Sequence, residues 1–139
     1  MGERPRVIDH IGVGVRDFEE SVDFYTRALA PLGFQRVAFV DEDNRSAGFG
    51  VEGRDDFWIH EGRPVGRMHV AFDAESRDAV DAFHAAAIEA GARDNGAPGV
   101  RTAYSDSYYA AYVLDPNGNN IEAVFHGDAP SRKGQPLPR

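Results

Sequence analysis

The sequence predicts an α+β fold built from two successive βαβββ modules, and three observations point there. The chain repeats itself at a spacing of 59 residues, so that His10, Phe24 and Leu29 recur as His69, Phe83 and Ile88. Each repeat opens with a strand-like run and passes into a segment with helical apolar spacing. Three further strand-like runs then follow each helix. With 139 residues, 42% of them hydrophobic and 27% charged, the chain can bury one ordinary core but not two independent ones. Modules 6–62 and 66–127 are therefore expected to share a single domain spanning 1–139.

Taken in order, Ile8-Asp9-His10-Ile11-Gly12-Val13 reads as the first strand. Asp17, with Glu20 three residues on, forms a capping box ahead of Phe18, Val22, Tyr25 and Leu29, and Pro31 and Gly33 stop that helix. Strand-like runs follow at Arg36 to Val40, Ser46 to Val51 and Asp56 to His60. In the second module Met68 to Phe72 is the opening strand, Ser76 caps a helix striped by Val80, Phe83, Ala87 and Ile88, and Gly91 closes it. The last three runs are Val100 to Tyr104, Tyr108 to Leu114 and Asn120 to His126, with the turn Asp115-Pro116-Asn117-Gly118 before the final one. The segment 128–139 has three prolines and no periodicity, which predicts a loosely ordered tail.

Composition removes whole classes of function. Twenty-three acidic residues against fifteen basic ones leave a charge of −8, which disfavours a phosphate-binding stripe and so nucleic acid as a partner. The absence of cysteine excludes disulfides, thiolate metal sites and cysteine nucleophiles. No run approaches the roughly 18 apolar residues of a membrane helix, and the opening MGERPRVIDH lacks an apolar signal core, so a cytoplasmic location away from membranes is expected. Gly12-Val13-Gly14 lacks the third glycine of a dinucleotide fingerprint, and no Gly-x-Ser-x-Gly elbow occurs.

Strand parity isolates a chemical set. Ile11, Val13 and Val15 suit helix packing and leave His10 on the face of Gly12 and Gly14; Val70 and Phe72 leave His69 on the face of Ala71; Ile121, Ala123 and Phe125 leave Glu122 opposite. Such polar groups are costly in a dry, unpaired setting, and a shared cation or bound water relieves the cost. Two imidazoles and a carboxylate can occupy one face of an octahedral ion, which suits Fe, Mn, Co, Ni or Zn without choosing among them. Alternatively the three residues hydrogen-bond one another or water in a metal-free cup. Trp58, Phe49, Tyr108 and Tyr112 are candidates to stack on a planar substrate, although aromatic strand residues also serve as packing.

The opening IDHIGVGVRDFEESVDFYTRALAPLGF, the mid-chain MHVAF and the ending YVLDPNGNNIE resemble the vicinal oxygen chelate superfamily, which includes glyoxalase I, fosfomycin-resistance and bleomycin-resistance proteins and extradiol dioxygenases. The resemblance covers residues 6 to 127 and implies a cupped mixed sheet of two βαβββ modules, the glyoxalase/bleomycin resistance/dioxygenase fold. It implies His10, His69 and Glu122 as ligands of a divalent metal ion, with Glu122 also the catalytic residue, and a homodimer acting on a small-molecule substrate. Glyoxalase I adds a fourth ligand on the fourth strand, but aligning Phe57-Trp58 with Ile121-Glu122 puts Trp58 in that place. Nor is there a histidine between Arg101 and Ala111, where extradiol dioxygenases carry one. Two functions follow as expectations. One is a metalloenzyme that chelates vicinal oxygens, by lyase, isomerase, transferase or dioxygenase chemistry; the other is a metal-free drug-binding protein of the bleomycin-resistance type.

Overall fold

A computed structural model describes residues 8–40, 45–64 and 66–127; the expected tail 128–139 lies outside them. The first module comprises β1 (Ile11–Val15), α1 (Phe18–Leu29), a 3-10 turn (Ala30–Leu32), β2 (Gln35–Val40), β3 (Ser46–Val51) and β4 (Arg54–Glu61). The second comprises β5 (His69–Asp73), α2 (Arg77–Glu89), β6 (Arg93–Val100), β7 (Tyr109–Leu114) and β8 (Asn120–Phe125). Their sheets have the same topology, β1-β4-β3-β2 and β5-β8-β7-β6, with the opening strand parallel to the last in each. Two four-stranded mixed sheets with one helix apiece make the α+β architecture of the glyoxalase/bleomycin resistance fold.

Both helices begin where short polar side chains can satisfy orphan amides. Asp17 accepts from the Glu20 N–H at 3.0 Å, and Ser76 Oγ accepts from the Ala79 N–H at 3.0 Å. The first helix ends because Pro31 tightens the chain into the 3-10 turn and Gly33, at φ 86°, takes the left-handed conformation that lets its N–H reach the Ala30 carbonyl.

One apolar core joins the modules. Val13, Val15, Phe24, Tyr25, Leu29 and Ile59 of the first half belong to the same cluster as Val80, Phe83, Val113, Ile121 and Ala123 of the second. The Phe57 ring meets Phe72 edge-on, with centroids 5.1 Å apart, so the contact ties β4 to β5. Among the described residues no helix is long and apolar enough to cross a membrane.

The second strand of the second module departs from expectation, which placed it at Val100 to Tyr104. It is Arg93–Val100, whereas Arg101 to Tyr104 forms a turn in which the Tyr104 N–H donates to the Arg101 carbonyl. The run DNGAPG hides a strand because glycine and proline are usually turn residues. Here β6 is a sheet edge whose register against β7 shifts at Asp94/Gly96 and again at Gly96/Gly99, and such an edge tolerates Pro98.

Candidate functional site

The second sheet turns Ile121 and Ala123 toward the helices and Glu122 away from them. Glu122 is only 1% exposed, and a carboxylate in that setting must be hydrogen-bonded. His69 Nε2 donates to its Oε1 at 2.8 Å and the Tyr108 hydroxyl donates to its Oε2. Strand pairing explains the first contact: Ala71 lies opposite Glu122 and His69 opposite Asn120, so His69 and Glu122 are diagonal neighbours on one face. Around the carboxylate, Tyr108, Ala110, Tyr112 and Val124 form a small apolar cluster separate from the main core. Tyr104 lies against Tyr108 with centroids 4.9 Å apart, and His126 meets Tyr108 edge-on at 5.2 Å.

The environment shifts two neighbours. Burial, and then the Glu122 charge, raise the Tyr112 hydroxyl above the usual phenol range. Partial desolvation also raises the carboxyl of Asp73, a residue exposed at the end of β5, against an opposing effect of His126.

The turn between β7 and β8 holds this geometry in place. Asp115, 4% exposed, accepts from the Asn117 N–H at 2.8 Å, the Asn119 N–H at 2.9 Å and Asn119 Nδ2 at 3.0 Å, and also from the Tyr25 hydroxyl of α1. Asn119 Oδ1 in turn accepts from the Met68 N–H at 3.0 Å, while the Asn120 N–H donates to the Met68 carbonyl at 2.8 Å. Met68 precedes His69 and Asn119 precedes β8, so the turn sets the two strands that carry the His69–Glu122 pair. From sequence the turn reads only as a separator; the buried acceptor that needs four donors becomes visible in three dimensions.

The first module presents a different face. Trp58 pairs with Gly12 as Glu122 pairs with Ala71, so an indole stands where the second module has its carboxylate. Gly48 makes room for it: a Cβ there would sit 2.7 Å from the ring. His60 lies farther along the same face, beside Gly12 and Gly14. His10 comes just before β1, is largely exposed, and donates through Nδ1 to Asp9 Oδ1 at 2.8 Å.

Of the residues singled out in the sequence, the structure thus brings His69, Glu122, Tyr108 and Tyr112 together. Trp58 lies on the equivalent face of the other sheet. His10 and His69 line one cleft of about 490 Å³, but His10 does not join the His69–Glu122 pair. Among the described residues no group of three or more His, Asp or Glu side chains could hold a metal ion. Phe49 lines the same cleft as His10 and His69, and at 1% exposure it packs against Tyr25 and Phe57, with centroids 6.2 and 6.4 Å away. Strand β3 turns Ala47 and Phe49 inward and Gly48 outward, which withdraws Phe49 from the Trp58 face.

The sequence model of the glyoxalase/bleomycin resistance protein/dioxygenase superfamily matches residues 7–123. The chain belongs to that superfamily. Among solved structures it is similar to a glyoxalase/bleomycin resistance protein from Albidiferax ferrireducens T118, at 31% identity and a TM-score of 0.72, covering 86% of this chain and 98% of that one. A glyoxalase/bleomycin resistance protein/dioxygenase family enzyme from Burkholderia phytofirmans PsJN shares the fold at 22% identity and a TM-score of 0.66, covering 84% of this chain and 96% of that one. So does a V278E variant of glyoxalase I from Zea mays, at 19% identity and 0.61, covering 84% of this chain but 43% of that one. Comparison with curated proteins gives no match.

Proposed function

We propose that this superfamily member is a metal-dependent enzyme that binds a small substrate through two vicinal oxygens on the outer face of the second sheet. The observation that carries the reading is the buried Glu122 carboxylate, paired with His69 and oriented by Tyr108. An imidazole and a carboxylate in contact are a nitrogen and oxygen donor pair suited to a borderline divalent ion such as Fe, Mn, Co, Ni or Zn. His69 and Glu122 would hold it. The third donor, His10, does not reach them within the chain, and β1 and β5 are both sheet edges, with Gly12 exposed on the outer face of the first and His69, Ala71 and Asp73 on that of the second. We therefore assign His10 to the site from a second copy, in a homodimer.

A bound ion would supply Lewis acidity toward negative charge developing on the substrate oxygens, a demand common to lyase, isomerase, transferase and dioxygenase chemistry. The chain supplies the rest. Tyr108 fixes the carboxylate plane through Oε2, leaving Glu122 Oε1 as the atom that would exchange its His69 contact for the ion or, when free of it, for a proton. Tyr108 and Tyr112 form an amphipathic wall for a planar substrate, and Trp58 offers a second surface from the first sheet.

One feature favours a second reading, a metal-free small-molecule or drug-binding protein of the bleomycin-resistance type. Both Glu122 oxygens are already satisfied by His69 and Tyr108, so no cation is needed to offset the burial. Metal content after growth with Fe, Mn, Co, Ni and Zn separates the two. The enzyme reading expects one ion per chain in the wild type and near zero in Glu122→Ala. A metal-free wild type, or an unchanged content in the variant, overturns it.

A further inference from the structure

We infer that the ligand of the second-sheet face carries an anionic group, a carboxylate by preference, and that Arg101 receives it. The inference deepens the proposed function and rests on its placement of the ligand on this face. The Arg101 guanidinium lies over the Tyr112 ring, 5.3 Å from its centroid, and the same ring stands 6.4 Å from that of His69. Tyr112 also lies opposite Glu122 in the β7–β8 pairing. Arg101 and the His69–Glu122 pair are therefore set around one phenol ring, at most those two distances apart laid end to end.

The guanidinium is held there by the backbone. Its Nη2 donates to the Ala97 carbonyl at 2.6 Å, and two glycines of β6 leave the space it fills. A Cβ on Gly99 would sit 3.0 Å from Nη1, and one on Gly96 would sit 3.3 Å from Nη2. The run DNGAPGVR, odd as a strand, makes sense as a cradle for an arginine.

Among the described residues no carboxylate lies within ion-pair distance of Arg101, a property it shares with Arg16, Arg63, Arg67, Arg77 and Arg93, but Arg101 alone of these is set over the Tyr112 ring beside Glu122. A fixed guanidinium with one donor used and no counter-ion suits a planar two-oxygen anion. A ligand that fits has vicinal oxygens at the His69–Glu122 end, a planar body against Tyr108 and Tyr112, and a carboxylate at the Arg101 end.

The test uses 3,4-dihydroxybenzoate and its methyl ester, which differ in that one charge, titrated into the purified protein by calorimetry. The acid is expected to bind the wild type about tenfold more tightly than the ester. Arg101→Met should bring the acid down to the ester while leaving the ester unchanged. Gly99→Ala, which crowds the guanidinium without removing it, should narrow the gap in a chain that keeps every charge. Equal binding of acid and ester by the wild type, or equal loss of both in Arg101→Met, overturns the inference. If Glu122→Gln leaves both affinities unchanged while the acid preference persists, the anion site stands and the vicinal-oxygen reading falls. If neither probe binds, both fall together.

Discussion

Removing a single hydroxyl from α1 tests how the two modules are locked. In Tyr25→Phe, Asp115 keeps its two backbone donors and Asn119 Nδ2 but loses the phenol that donates to Oδ2. Tyr25 is fully buried and Asp115 nearly so, which leaves water no easy route to replace the lost donor. A hydrogen bond to a charged acceptor contributes about 2 kcal/mol, so the variant should lose that much at pH 7 and melt about 8 °C lower. Burial, and then the Asp115 charge, hold the Tyr25 hydroxyl well above the usual phenol range. The folded state therefore keeps a proton that the unfolded chain releases above pH 10.0. The stabilisation is fully present below that pH and falls by about 1.4 kcal/mol per unit above it. The difference between wild type and variant should therefore shrink as pH rises past 10 and vanish roughly 1.5 units higher. Urea denaturation at pH 7, 9, 10.5 and 11.5 measures both effects. A cost under about 0.5 kcal/mol at pH 7, the level of an ordinary surface change, would refute the reasoning. So would a difference that stays constant to pH 11.5.

Other consequences can be checked with single variants. Gly48→Ala places a Cβ 2.7 Å from the Trp58 ring and should cost about 1–3 kcal/mol while moving the emission of the chain's one tryptophan; unchanged fluorescence would contradict the described indole position. Asp73→Asn should raise the melting temperature slightly at pH 7 but not at pH 3, because partial desolvation penalises the ionised carboxylate, solvent at this exposed strand end keeps the penalty small, and protonation removes it; the reverse order would show that the charge is instead favourably paired. Mixing His10→Ala with Glu122→Ala, each unable to retain metal alone, should restore up to half of the sites in mixed dimers if the donors come from two copies. No recovery after subunit exchange has been verified would place all three donors in one chain.

Much of the fold was legible because its signals are local. The Asp17 and Ser76 caps, the Pro31-Gly33 stop and the repeat of 59 residues each depend on neighbouring residues, and the helices begin where those caps place them. Parity in β5 and β8 put His69 and Glu122 on one face, since a period of two leaves no freedom once the apolar partners are known. Parity also existed for Phe49, where large Phe49 alternates with Gly48 and Gly50, but a short run of small residues leaves the buried face undecided. Strand β6 was hidden for a different reason. Its glycines and proline are read locally as turn chemistry, whereas their use is long-range, at a sheet edge shaped around Arg101 and Tyr112. The Tyr108 bond to Glu122 joins a loop to a strand, and no spacing rule points to it. His10 was legible as a residue type on a glycine face, but its separation from Glu122 depends on how the two modules pack.

The most direct test of the proposed centre is a cobalt(II) titration followed through the imidazole resonances. His69 and His10 should shift together with one ion per chain, while His84, tied to Asp94 on the other side of the second sheet, stays in place. A titration that moves neither His69 nor His10, or that moves His84 as readily as His69, would contradict it.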